Sequence, residues 1–260
     1  MSEITQSMLI PALRLFLARG WHWIAVYSTI LIAWIGVVLM VRGLPGADLP
    51  SEIWESLCLA AADANYSALY AMWALMVLAM MLPTFLPTMR TYDDLRIAGA
   101  GSWSGSLALV AGYVLVWIIA AGLGAGAQWF LSRTGYLSPL GQSLSPWLTA
   151  ALLVGAGLYQ FSRLKEACLS KCRMPMTFFM ERWRPGPAHA FRMGLDLGVI
   201  CLGCCWALMG LGFVGGTMAL GWMGTATLFM TFEKLPAFGR YLTRPAGVAL
   251  IIAAPVSLFI

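Results

Sequence analysis

Seven apolar segments, spaced by short polar loops, constrain this chain more than any other feature. A bilayer core of about 30 Å is crossed by roughly 20 helical residues at about 1.5 Å each. By that measure the spans fall near residues 21–41, 68–89, 107–131, 147–163, 193–213, 217–233 and 245–260. The fifth and sixth are separated only by Val214-Gly215-Gly216, which predicts a tight hairpin or one irregular segment. The seventh contains Pro255, so six spans is the fallback count. Only 10% of the residues are charged and 60% are hydrophobic, against about 25% charged in a soluble domain. The expected fold class is therefore all-α: a single polytopic transmembrane bundle, residues 1–260.

The basic residues test that layout. Fourteen of the sixteen fall on one side: Arg14, Arg19, Arg90, Arg96, seven between Arg163 and Arg192, then Lys234, Arg240 and Arg244. Arg42 and Arg133 fall on the other, together with Asp48, Glu52, Glu55 and Asp63. The positive-inside rule makes the first side cytoplasmic and puts the N-terminus there. The predicted location is a cytoplasmic membrane, with the lipid bilayer as the first partner. No stripe of Arg and aromatic residues suggests a nucleic-acid partner. The segment before residue 21 reads as the lead-in to a first span, since no clean small-residue cleavage site follows it.

Loop chemistry agrees. Ser51-Glu-Ile-Trp-Glu reads as an interfacial helix capped by Ser51. Pro146 suits the first turn of span four, and Leu164 to Lys171 reads as a continuation of that span. Arg184-Pro-Gly-Pro187 breaks the chain. Pro83 and Pro87 close span two, predicting a kink and freed carbonyls. Glycine pairs such as Gly101/Gly105 and Gly194/Gly198 allow close helix approach, either within the bundle or against a membrane partner or a second copy.

Five of the six cysteines lie between residues 168 and 205. Cys168 and Cys172 are one helical turn apart and face the same way. Cys201, Cys204 and Cys205 form a second group roughly 13 Å into span five. The two groups make one site only if the segment between them folds inward; two sites fit the spacing equally well. A reducing cytoplasm disfavours disulfides. Buried thiols often serve as small apolar side chains, but CxxxC followed by CxxCC also makes a metal site. Thiolate and thioether donors suit Cu(I), Zn²⁺ or an iron–sulfur cluster rather than a hard cation, with Cu(I) expected ahead of Zn²⁺. Met72, Met76 and Met80 recur at helical spacing, with Met81 and Met89 nearby, and Met174, Met176 and Met180 follow Cys172. That stripe reads first as packing and otherwise as weak Cu(I) sites. The only imidazoles are His22 and His189, both read as interfacial. Asp196 is expected to pair with Arg192 one turn earlier, and Glu233 with Lys234. No nucleophile–His–acid set and no phosphate-cradling loop is present, so no enzyme is expected.

Several stretches recur together in one family. They are Ala79-Met-Met-Leu-Pro83 with Pro87, Tyr159-Gln160, Leu164-Lys165, Cys168-x3-Cys172-Arg173, Trp183-Arg-Pro-Gly-Pro187, Cys201-Leu-Gly-Cys204-Cys205-Trp206 and Glu233-Lys234. Over about residues 70–245 the chain resembles a bacterial family of predicted metal-binding integral membrane proteins. That resemblance implies a helical inner-membrane protein with a metal site. Lys171 and Leu197 stand where relatives often have histidine, which leaves sulfur as the main ligand type. The resulting expectation is soft-metal handling, Cu(I) preferred, through Cys168, Cys172, Cys201, Cys204 and Cys205, or metal supply to a partner. The alternatives are an accessory subunit docking through its glycine faces, or a transporter using Asp196 and Glu233.

Overall fold

The computed structural model describes residues 23–38, 65–138, 141–217, 219–236 and 239–259. His22, Cys58 and the segment capped by Ser51 lie outside those residues. Ten helices are described: α1 (Trp23–Val38), α2 (Tyr66–Ile97), α3 (Trp103–Arg133), α4 (Pro146–Tyr159) and α5 (Arg163–Arg173), followed by α6 (Pro175–Arg182), α7 (Pro187–Gly210), α8 (Gly212–Gly215), α9 (Leu220–Glu233) and α10 (Gly239–Val256). Among the described residues there is no strand, only one isolated bridge between Leu137 and Ser143.

Local chemistry sets the boundaries. Asn65, Ser102, Ser145 and Ser162 each cap a helix by accepting a backbone N–H at the second or third position, which satisfies one of the free donors at a helix start. Pro146 and Pro187 occupy first turns, where the missing N–H costs no ladder bond. Gly186 and Gly216 take positive φ (104° and 92°) at the two sharpest breaks around α7 and α8.

Three helical stretches are long and apolar enough to cross a membrane: Tyr66–Ile97, Trp103–Arg133 and Pro187–Gly215. Trp23–Val38, Pro146–Tyr159 and Tyr241–Val256 are shorter apolar helices, and α9 has 14 residues. Two boundaries depart from expectation. Helix α2 does not stop at Pro83 and Pro87 but runs through both to Ile97; proline's fixed φ is compatible with a helix, and each removes only one ladder donor. Nor does span four continue past the thiols. Gln160 and Phe161 turn the chain, and Ser162 starts a separate helix, its Oγ accepting from the Lys165 N–H at 3.1 Å.

That turn lets α5 fold back against α7, and the remaining packing holds α7 in place. Helices α3 and α7 cross with their backbones touching. A Cβ on Gly112 would lie 2.3 Å from the Phe191 carbonyl oxygen, and one on Gly194 would lie 2.1 Å from that of Leu109. The Gly194/Gly198 face is thus occupied inside the bundle by α3. Further along α3, Trp73 of α2 lies over Gly124 and donates its indole N–H to Gln128 at 2.7 Å. Met72, Met76 and Met80 are buried in the common core, as packing residues would be.

Candidate metal centre

Helix α7 presents Cys201, Cys204 and Cys205 to its most enclosed side, each 3% exposed or less. Their sulfur atoms lie within 4.8 Å of one another. The Cys204 and Cys205 thiols both turn back onto the Cys201 carbonyl, at 3.0 and 2.9 Å. The helix therefore gathers the three sulfurs around one turn, as the CxxCC spacing requires.

The shallower pair divides. Cys172 of α5 interacts electrostatically with the Cys201 and Cys204 thiols, but it lies outside the group of three mutually close sulfurs. Cys168 packs against Gly203, where an added Cβ would meet its Sγ at 2.8 Å. It lies beside the trio rather than within it. Both thiols of α5 are only half-buried. Hydrogen bonding to Cys201 and Cys204 raises the Cys172 pKa, with burial adding to it. Burial raises that of Cys168 first, Cys204 adds, and Lys171 opposes.

Four further groups complete the surroundings. The Lys234 ammonium, just past α9, donates to the Cys201 sulfur at 3.0 Å and to Thr84 Oγ1 at 2.8 Å. Thr84 in turn donates to the Met81 carbonyl at 2.9 Å. Tyr113 of α3 donates to that same carbonyl at 3.2 Å and touches the Cys201 sulfur at 3.2 Å. Its ring is stacked on Phe85 with centroids 3.9 Å apart. The Met81 thioether is 4.0 Å from the Cys205 sulfur. Of the methionines near the stripe, it is Met81, one position off, that reaches the thiols.

Around this core the charges are paired, though not as the sequence suggests. Asp196 pairs with Arg182, not Arg192, because α6 brings Arg182 across the outside of α7. Glu233 turns away from Lys234 to Lys165 of α5, 3.0 Å from Oε2 as a hydrogen bond and 2.8 Å from Oε1 as a purely ionic contact. Arg173 Nε donates to the Glu233 carbonyl at 3.0 Å. Consecutive residues at a helix end are rotated by about 100°, so one dipeptide holds both α5, through Glu233, and the thiol centre, through Lys234. On the other side of α7, the Tyr159 hydroxyl donates to the Gly203 carbonyl and its ring meets Trp206 edge-on, 5.1 Å away.

The sequence located the sulfur atoms but not their neighbours. Lys234 carried a signal, as a charge at the end of an apolar segment within the family-like stretches. Tyr113 and Thr84 carried none, since a tyrosine or threonine in an apolar helix is common.

A helical bundle holding three mutually close thiols with a thioether beside them, and no carboxylate among them, is suited to a soft metal ion. The profile of the PpoB2 family, described as a copper chaperone, matches residues 70–257, and the chain belongs to that family. No curated protein and no solved structure matches the chain. Family and donor set agree on a soft metal such as Cu(I), and the family suggests a metal-handling role without catalysis.

Proposed function

We propose that the protein is a multi-pass cytoplasmic-membrane copper chaperone that binds Cu(I) as cargo at the sulfur cluster and passes it to a partner protein. The observation that carries this reading is the cluster of three buried sulfurs, Cys201, Cys204 and Cys205, within 4.8 Å of one another, with the Met81 thioether 4.0 Å from Cys205. Soft sulfur donors match a soft cation.

The division between deep and shallow thiols supports delivery rather than permanent storage. The trio is enclosed, whereas Cys172 and Cys168 are half-exposed. Cu(I) exchanges between thiols by gaining one sulfur before losing another, so Cys172 is placed to take part in hand-over. Membrane residence is supported by the three long apolar stretches and three shorter ones. The sequence reading of seven spans, with cytoplasmic N-terminus and cytoplasmic α5, keeps the thiols on the reducing side.

The test is the metal content of protein purified after growth with copper, compared with a variant in which Cys168, Cys172, Cys201, Cys204 and Cys205 are all serine. Copper near one ion per chain in the native protein, lost in the variant, is expected. Equal copper in both, or none in either, would sink the proposal.

A further inference from the structure

We propose that Lys234 is the fixed counter-cation of the copper centre, and that its charge makes the centre a two-thiolate site. This deepens the copper reading and rests on it.

The geometry is specific. Lys234 is 8% exposed, and its ammonium bonds to the Cys201 sulfur and Thr84. The nearest carboxylate in sequence, Glu233, is committed to Lys165 on α5. Among the described residues no carboxylate lies within ion-pair distance of Lys234. Its remaining electrostatic neighbours are Cys204, Cys205 and Tyr113. A cation enclosed in a bundle is disfavoured unless an anion accompanies it. Among the described residues, the group in direct contact that can supply that anion is the Cys201 sulfur, with the other thiols and the Tyr113 hydroxyl beside it.

The charge balance follows. Cu⁺ binding to two thiols releases two protons and leaves a two-thiolate complex of charge −1. The ammonium of Lys234 offsets that charge, so the loaded centre is neutral and stable in low dielectric. A third thiolate would add an uncompensated negative charge. The other thiols of the cluster lie outside that pair and are available for the exchange step. Lys234 acts through the sulfurs and does not itself bind the metal.

Two measurements test this on the full chain in lipid nanodiscs. The first is Cu(I) affinity, by competition with a chromophoric Cu(I) chelator, for the native protein, Lys234→Met and Lys234→Arg. Lys234→Met is expected to bind about 10–100-fold more weakly, the usual range for groups just outside the ligand shell. Lys234→Arg is expected to recover most of that loss by keeping the charge. The second is X-ray absorption of the Cu(I)-loaded native protein, which needs no variant and so survives a folding defect; it is expected to show two sulfur ligands. Native affinity retained in Lys234→Met overturns the proposal, as do three sulfurs around the metal. Absence of Cu(I) binding in the native protein would overturn the copper reading itself, and this inference with it.

Discussion

Two buried lysines, placed in very different company, separate the frame of this protein from its working centre. Lys165 is fully buried and faces Glu233, itself 1% exposed, in a two-oxygen ion contact. Lys234 follows Glu233 in sequence yet faces Cys201, Thr84 and the other thiols. The first pair is closed: charge meets charge, and Arg173 ties the same turn through the Glu233 carbonyl. The second is open, because the ammonium meets sulfur and hydroxyl groups and no carboxylate. A closed pair fixes where α5 sits against the end of α9. An open one waits for an anion, and a metal–thiolate complex is an anion.

The largest expected effect breaks the closed pair. Removing one partner of a buried ion pair costs about 3–5 kcal/mol, while replacing both by apolar residues is often near neutral. Glu233→Gln should therefore lower the melting temperature sharply, and Lys165→Met combined with Glu233→Leu should recover much of it. Near-native melting of Glu233→Gln would show that the pair does not hold α5. In contrast, Lys234→Met should melt close to the native apoprotein, since no carboxylate is stranded.

Next in size is the loss of a sulfur. Cys201 belongs to the close sulfur trio and touches Lys234 and Tyr113, so Cys201→Ser should weaken Cu(I) binding by more than the roughly 100-fold that outer groups cost. Cys168→Ser, beside the trio at Gly203, should stay below about 10-fold. A reversed order, read by the same chelator competition, would move the centre onto the shallow helix.

A smaller, graded effect comes with pH. Thiols must lose protons to bind metal, and the α5 thiols hold theirs above the ordinary range because of burial and bonding to neighbouring thiols. Cu(I) affinity should therefore rise with pH through the neutral and mildly alkaline range and fall on acidification. A flat profile would mean that the thiols are already ionised in the metal-free protein.

Much of this was legible in the sequence, and the gaps have a common cause. Helical spacing put Cys201, Cys204 and Cys205 on one turn, and the apolar segments marked the helices that carry them. What the spacing left open was where Cys172 would lie. That depended on a turn at Gln160 and Phe161 with a new cap at Ser162, and a single cap residue says little about the direction of the helix it starts. The pairing of acids failed in the same way. Near neighbours such as Arg192 for Asp196 or Lys234 for Glu233 are plausible along one helix, but α6 and α5 supplied Arg182 and Lys165 from elsewhere. Contacts between helices decided the site, and sequence periodicity describes one helix at a time.

The most direct test of the central claim is a Cu(I) titration of the full chain in lipid nanodiscs, with and without Cys201, Cys204 and Cys205 replaced together by serine. The account predicts one tightly held Cu(I) in the native protein and none in the variant, with folding preserved in both. Equal binding by the two would contradict it.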